Sequence, residues 1–411
     1  MPAARASKLV LWLTLGVVAL IVYGSLYPFH FKPDAMGIGF ADALDQLSWA
    51  RAGRGDRISN VLLYLPLGFC LYLSVNRRFG RRASALFATV LGAMLSLAME
   101  IAQVYVSVRV PSLTDLSLNA AGTLIGVAAG LGWGTIAGWM NLPARADKPA
   151  GDPAAILLLG LWLAWRLAPF IPHFDLAKLK AALRPLFHPQ IDAVATFVYL
   201  SYWLIVSEAV AALVSKPNAL EALLVLIATV LVGRLIVANQ TFVADELVAL
   251  LLLLPLLVLM MRLTPQPRRV LLLGMLLVAF AIERLAPFQF SAATTLDSWP
   301  SLLSLLDGMV HDTGHALASI DVVSLFGRLF VFGALVWAIR ETGVSMTIAA
   351  IAMVLLVLVI EGLRMWLAPS TGSLTDPLLA VLVGTAFQYV HQQRRKRTLL
   401  ARANSRRERT H

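Results

Sequence analysis

Cysteine is almost missing from this 411-residue chain, in which Cys70 stands alone. One thiol excludes an intramolecular disulfide and any thiolate metal cluster, and at an apolar position it reads as a small hydrophobe. Charge is scarce too, at 14% of residues, and acidic residues are outnumbered by basic ones, 23 against 34. No phosphate loop, no H-E-x-x-H pattern and no nucleophile-plus-base signature occurs, so the sequence declares no catalytic class and implies no cofactor. Low-complexity linkers are absent as well. Pro143 to Pro153 and Pro265 to Pro267 are short Pro-punctuated joints.

What the chain has in excess is apolar surface. Hydrophobic residues make up 59% and the mean hydropathy is +0.78, more than a soluble core of this length can hide. The apolar residues come in runs of roughly 17 to 25, the length of a bilayer-crossing helix. They fall near 8–24, 58–75, 84–105, 114–138, 154–170, 193–214, 219–238, 242–262, 269–287, 322–339, 345–366 and 374–391. The expected fold is therefore all-α, a polytopic transmembrane bundle of about twelve spans.

A net charge of +11 invites a nucleic-acid reading, but the placement of the basic residues argues against one. With a cytoplasmic N-terminus, the cytoplasmic segments hold Arg5, Lys8, Arg77, Arg78, Arg81, Arg82, Arg145, Lys148, Lys216, Arg262, Arg268, Arg269, Arg340 and the eight basic residues of the tail from Arg394 to Arg409, in all 21 of the 34 basic residues. That is the positive-inside bias, and it sets both termini in the cytoplasm. The basic tail, residues 396–411, reads as solvated and disordered, with contact to anionic headgroups as its alternative.

Three helices close on the same phrase: Ser25-Leu26-Tyr27-Pro28-Phe29, Arg166-Leu167-Ala168-Pro169-Phe170 and Arg284-Leu285-Ala286-Pro287-Phe288. Each lies four spans from the next, and each is followed by an aspartate at similar distance, Asp115, Asp245 and Asp376. The chain thus divides into three four-helix units, 1–145, 150–265 and 268–395. An even number of spans per unit makes these parallel repeats with every Pro-Phe loop on the outer side. The first span resembles a signal peptide, yet as the counterpart of the fifth and ninth it is expected to stay. The outer loops, with Trp49, Phe174, Phe187 and Trp299, suit interfacial half-helices.

Within this greasy chain a second phrase recurs. Ser112-Leu113-Thr114-Asp115 returns as Ser373-Leu374-Thr375-Asp376, with Glu100 and Glu361 fifteen residues before each aspartate. Gln103 and Arg364 follow those glutamates at i+3, on the same helix face. Residues 57–126 resemble the VanZ-like family of membrane proteins. The resemblance rests on Ser59-Asn60-Val61-Leu62-Leu63-Tyr64-Leu65-Pro66-Leu67-Gly68-Phe69, Glu100-x-x-Gln103, Arg109, Asp115, Asn119, Gly122 and Gly126. Units 2 and 3 join it only through internal similarity. Unit 3 has Ser370 in place of Arg109 and Ala380 in place of Asn119, and unit 2 has Val230 in place of the glutamate, with Arg234 nearby. The resemblance implies a bacterial envelope protein of the cytoplasmic membrane, in its namesake associated with lowered susceptibility to teicoplanin-type glycopeptides.

Two readings stand for each polar residue. Ser-x-x-Asp is a capping-box pattern, so Asp115 and Asp376 either cap their helices or meet a ligand. Glu100 either hydrogen-bonds Gln103 or joins Arg109, Asp115 and Asn119 in a site. Glu361 has Arg364 as its bland partner, and Arg328, inside a span, has Glu361 or Asp376. Pro66 and Gly68 read as a kink, Gly122 and Gly126 as close helix contact. The candidate ligand site is Glu100, Gln103, Arg109, Asp115 and Asn119, with Arg109 as the donor to phosphate or carboxylate. A secondary candidate is Glu361, Arg364 and Asp376. His311-Asp312-x-x-His315 has metal-like spacing but no third ligand nearby, so no metal is expected. The ligand class is a membrane lipid or lipid-linked cell-envelope precursor. A transporter or flippase is the alternative, and an enzyme acting on lipid-linked phosphate or glycan a third, with Glu100 and Asp115 as its acid and base.

Overall fold

The computed structural model describes residues 2–27, 29–49, 54–107, 109–139, 152–172, 175–214, 216–238, 240–286, 322–367 and 375–408. The described chain is all-α. Its helices are α1 (Pro2–Leu26), α2 (Phe40–Asp45), α3 (Arg54–Val104), α4 (Leu113–Trp139), α5 (Pro153–Leu167), α6 (Leu176–Phe187) and α7 (Ala193–Leu213). They continue with α8 (Ala219–Ile236), α9 (Ala244–Met260), α10 (Pro265–Leu285), α11 (Val322–Glu341), α12 (Met346–Leu367) and α13 (Thr375–Glu408). Each of the twelve apolar stretches is helical, α3 containing two of them.

Among the described residues, six helices are long and apolar enough to cross a membrane: Arg57–Asn76, Arg78–Val104, Ala193–Leu213, Ala219–Ile236, Val323–Glu341 and Met346–Arg364. Val10–Leu26 and Pro153–Leu167 are shorter apolar helices. Large side chains on outer helix faces, such as Leu86, Val225 and Leu251, stand exposed. Such continuous apolar faces are stable against lipid rather than water. This is a membrane protein.

The chain forms two compact units. One comprises residues 1–147 with 169–180 and 236–239; the other comprises 148–168, 181–235 and 240–411. In the first, α3 is interrupted at Gly80, whose φ of +73° suits a residue without a side chain. Gly68 and Gly92, twelve residues to either side, both lie against Thr123 of α4, so the chain reverses at Gly80 and its two arms share α4 as a neighbour. The approach is close because glycines make it. A Cβ on Gly122 would strike the carbonyl oxygen of Val61, and one on Gly126 that of Leu65. Ile21, Tyr64, Leu67, Tyr72, Ala88 and Val127 fill the space between α1, α3 and α4.

Two loops share one geometry. Phe29 and Phe170 both have positive φ, 65° and 62°, unusual for an aromatic residue. Strand-like pairing two residues further along each loop holds the backbone there: Phe31 bridges Val106 and Pro172 bridges Val237, both antiparallel. The expected short helices after the first and fifth spans are the 3-10 turn Pro33–Gly37 with α2, and α6. The corresponding region after α10, with Trp299, and the His311–His315 pair lie outside the described residues, as do Ser370 and Ser373.

The second unit is built on aromatic packing instead. Trp162 lies edge-on to Trp203 with centroids 5.0 Å apart and meets Phe330 at 4.8 Å. One continuous core runs from Ala154 through Phe280 and Phe330 to Phe387, joining helices from both the 150–265 and 268–395 stretches. The basic tail departs from expectation: α13 continues as helix to Glu408. From Thr385 onward there is no glycine or proline, and Arg, Gln, Leu and Ala are good helix formers.

Gly126→Ala is expected to cost about 1–3 kcal/mol of stability through overpacking against Leu65. Gly16→Ala, where nothing lies within 4 Å, leaves the midpoint unchanged or raised. Thermal unfolding of the two purified variants in one detergent checks the contrast.

Candidate functional site

In the first unit the turn after α3 places Glu100, 2% exposed, beneath the start of α4. Its Oε2 accepts the Ser112 backbone N–H at 2.7 Å. Ser112 Oγ in turn accepts from the N–H groups of Thr114 and Asp115, at 3.1 and 3.4 Å. The helix cap is therefore the serine, and the reciprocal half of the capping box is supplied by Glu100 from the preceding helix. Of the two readings of Glu100, pairing with Gln103 is not the one made, because a buried carboxylate gains more from an orphan N–H than from an amide on its own helix.

Gln103 and Arg109 turn elsewhere. Gln103 Nε2 donates to the Ser25 carbonyl at 3.0 Å, and Arg109 Nη2 donates to Gly24 and Tyr27 carbonyls at 3.0 and 3.2 Å. These carbonyls belong to the C-terminus of α1, where no further helical turn follows to bond them and where a cation also meets the negative end of the helix dipole. Arg109 and Asp115 both lie within electrostatic range of the Glu100 carboxylate. Asn119 sits one turn further along α4 and donates from Nδ2 to Ser96 Oγ at 3.0 Å. Its Oδ1 is buried with no hydrogen-bond partner among the described residues, and Tyr64, from the first arm of α3, approaches the same serine. The structure thus brings Glu100, Asp115 and Asn119 to one hairpin interior, with Arg109 in range of Glu100 and, like Gln103, also bonded to the end of α1.

The second unit contains a charge cluster that the sequence motifs do not announce. Glu246, 1% exposed, lies between two buried arginines: it forms an ion pair with Arg166 and another with Arg234 at 2.7 Å. Trp203 Nε1 donates to it at 3.0 Å. Two guanidinium groups against one carboxylate leave a positive excess, which the aromatic faces of Trp162, Trp165 and Tyr199 offset from 5.0, 5.2 and 5.4 Å. Arg234 also donates to the Thr241 carbonyl at 2.8 Å. Asp245, the expected counterpart of Asp115, instead accepts the Asp192 N–H at an exposed position. The signal for the cluster is the arginine opening the Arg-Leu-Ala-Pro-Phe phrase, since Arg284 behaves as Arg166 does.

Arg284 pairs with Asp376 at 2.6 Å and Arg328 pairs with the same carboxylate at 3.0 Å. Asp376 is 2% exposed. Glu361 pairs with Arg364 at 2.9 Å. Of the secondary candidates, Arg364 and Asp376 line a cavity of about 530 Å³ with Trp165, Glu283, Arg284 and Arg328, and Glu361 backs Arg364. At the opposite helix ends, Arg340 and Arg394 meet Asp152 at 2.6 and 3.1 Å, and Arg268 meets Glu208. Ion pairs therefore stand at both ends of this unit's helices, not at one end only.

A family model described as VanZ/LLP1 matches residues 9–133. No curated protein and no solved structure matches the chain.

Glu246→Gln is expected to cost about 3–5 kcal/mol by leaving two buried guanidinium groups without a counter-charge. Asp245→Asn keeps an acceptor for Asp192 and is expected to cost under about 1 kcal/mol. Unfolding midpoints recorded by tryptophan fluorescence separate the two.

Proposed function

We propose that this protein, whose residues 9–133 are a VanZ-like segment, is a twelve-span protein of the bacterial cytoplasmic membrane that binds a lipid-linked or cell-wall component. The ligand meets the first unit at its outer face through Glu100, Asp115 and Asn119, with Gln103 and Arg109 holding α1 in place beside them. The observation that carries this reading is the hairpin interior itself. It gathers two carboxylates and a buried amide oxygen without a described partner, an expensive arrangement among apolar helices that a polar ligand relieves. The link to glycopeptide susceptibility rests on the same family resemblance.

The three-unit reading draws support from the matched loops at Phe29 and Phe170 and from the repeated arginine-to-acid pairing of Arg166 with Glu246 and Arg284 with Asp376. The basic residues support cytoplasmic termini. A second reading, a transporter or flippase, is favoured by one observation: the second unit carries ion pairs at both ends of its helices, contacts that can break in turn as a pathway opens to either side.

Asp115→Asn is expected to strip co-purifying lipid-linked phosphate species from the protein in native mass spectrometry, with the unfolding midpoint unchanged. An unaltered lipid complement after that substitution removes the first-unit site. For orientation, Ser107→Cys in a Cys70→Ala background is expected to react with an impermeant maleimide on intact spheroplasts; labelling only after lysis reverses the topology.

A further inference from the structure

The 530 Å³ cavity of the second unit is a space onto which charges of both signs open. Its volume is that of a small-molecule site. Among the described residues, Trp165 and Val331 are its large apolar lining, against Arg284, Arg328, Arg364, Glu283 and Asp376, a wall that suits a charged group better than an acyl chain.

The charges are not all consumed by one another. Asp376 is shared by Arg284 and Arg328, and Arg328 uses only Nη1 for it; the Arg328 side chain stays 30% exposed and lines the cavity. Glu361 accounts for Arg364. Glu283 accepts a hydrogen bond from the Tyr202 hydroxyl, a neutral donor, and has no ion-pair partner among the described residues. The wall therefore offers an arginine edge that seeks an anion and a carboxylate that seeks a cation. Filling the cavity with an inorganic anion alone would satisfy the first and leave the second.

We propose that this cavity binds a phosphate ester bearing a primary ammonium group, as found in the phosphoethanolamine headgroup of a lipid or in soluble O-phosphoethanolamine. The phosphate meets the Arg328 edge, for which a guanidinium is the fitting partner, and the ammonium meets Glu283. A quaternary ammonium has no N–H to donate and is disfavoured. The site lies where α10 ends and α13 begins, at helix ends where lipid headgroups sit. It is separate from the first-unit site and stands or falls independently of it.

The test uses full-length protein, delipidated in detergent and offered phosphatidylethanolamine, phosphatidylglycerol or phosphatidylcholine, with retention read by native mass spectrometry. Glu283→Gln keeps an acceptor for Tyr202, and Arg328→Gln leaves Asp376 paired with Arg284, so both variants are expected to keep the native unfolding midpoint. Phosphatidylethanolamine is expected to be retained about tenfold more strongly than either other lipid, the equivalent of one charge-assisted contact. Glu283→Gln is expected to erase that preference, and Arg328→Gln to weaken all three lipids about tenfold. Displacement of the bound lipid by O-phosphoethanolamine but not by inorganic phosphate assigns recognition to the head alone. Retention without displacement assigns it to the intact lipid. Equal retention of the three lipids, or a preference that survives Glu283→Gln in a folded variant, overturns the proposal.

Discussion

A carboxylate carried into a bundle of membrane-length helices has no water to solvate it, so it must be met by an opposite charge or by backbone N–H groups. Glu246 and Asp376 take the first course, each between two arginines. Glu100 takes the second, with the Ser112 N–H. Each contact ties the start of one helix to another helix, in all but the Arg328 pair to that helix's end, and so fixes a terminus that the apolar faces alone would leave free to slide. Dispersion against lipid and dispersion against a neighbouring helix are similar in strength, which is why polar contacts and close fit set the register inside a membrane.

The two units meet that requirement with different packing. In the first, Gly68, Gly122 and Gly126 let α4 touch the backbone of α3, and the polar residues Ser96, Asn119 and Thr123 are buried within the same contact. In the second, tryptophan and phenylalanine separate the helices and leave room at one end for the charged cavity. Close glycine contact gives a tight polar interior. Bulky rings give volume, and their faces temper the surplus positive charge of Arg166 and Arg234. A site that holds its groups against the backbone and a site that opens onto a cavity thus arise in one chain from small and large side chains at helix interfaces.

Much of the helical layout is legible in the sequence because it depends on local quantities. Apolar run length marks each helix, and Pro or Gly marks the joints. The pairings of Glu361 with Arg364 and of Arg328 with Asp376 are also within reach, the first from i to i+3 spacing and the second from the scarcity of partners for an intramembrane arginine. Glu246 is not, because the adjacent Asp245 looks the better match to Asp115, and only the rotation of α9 tells which of two neighbouring acids faces inward. The helical continuation to Glu408 runs against a reading that weighs a run of like charges above the helix propensity of the residues that carry it.

Composition and periodicity by themselves determined that this is an all-α membrane protein with polar residues concentrated near helix ends, since burial of apolar runs and the cost of buried charge act on every residue regardless of its distant neighbours. Tertiary structure alone decided which donor each acid meets. Ser112 rather than Gln103 donates the bond to Glu100, Arg109 goes to the end of α1, and Glu283 is left facing a cavity. Those choices depend on helix rotation and on approach distances of a few ångströms between segments far apart in the chain, which no spacing along one helix encodes.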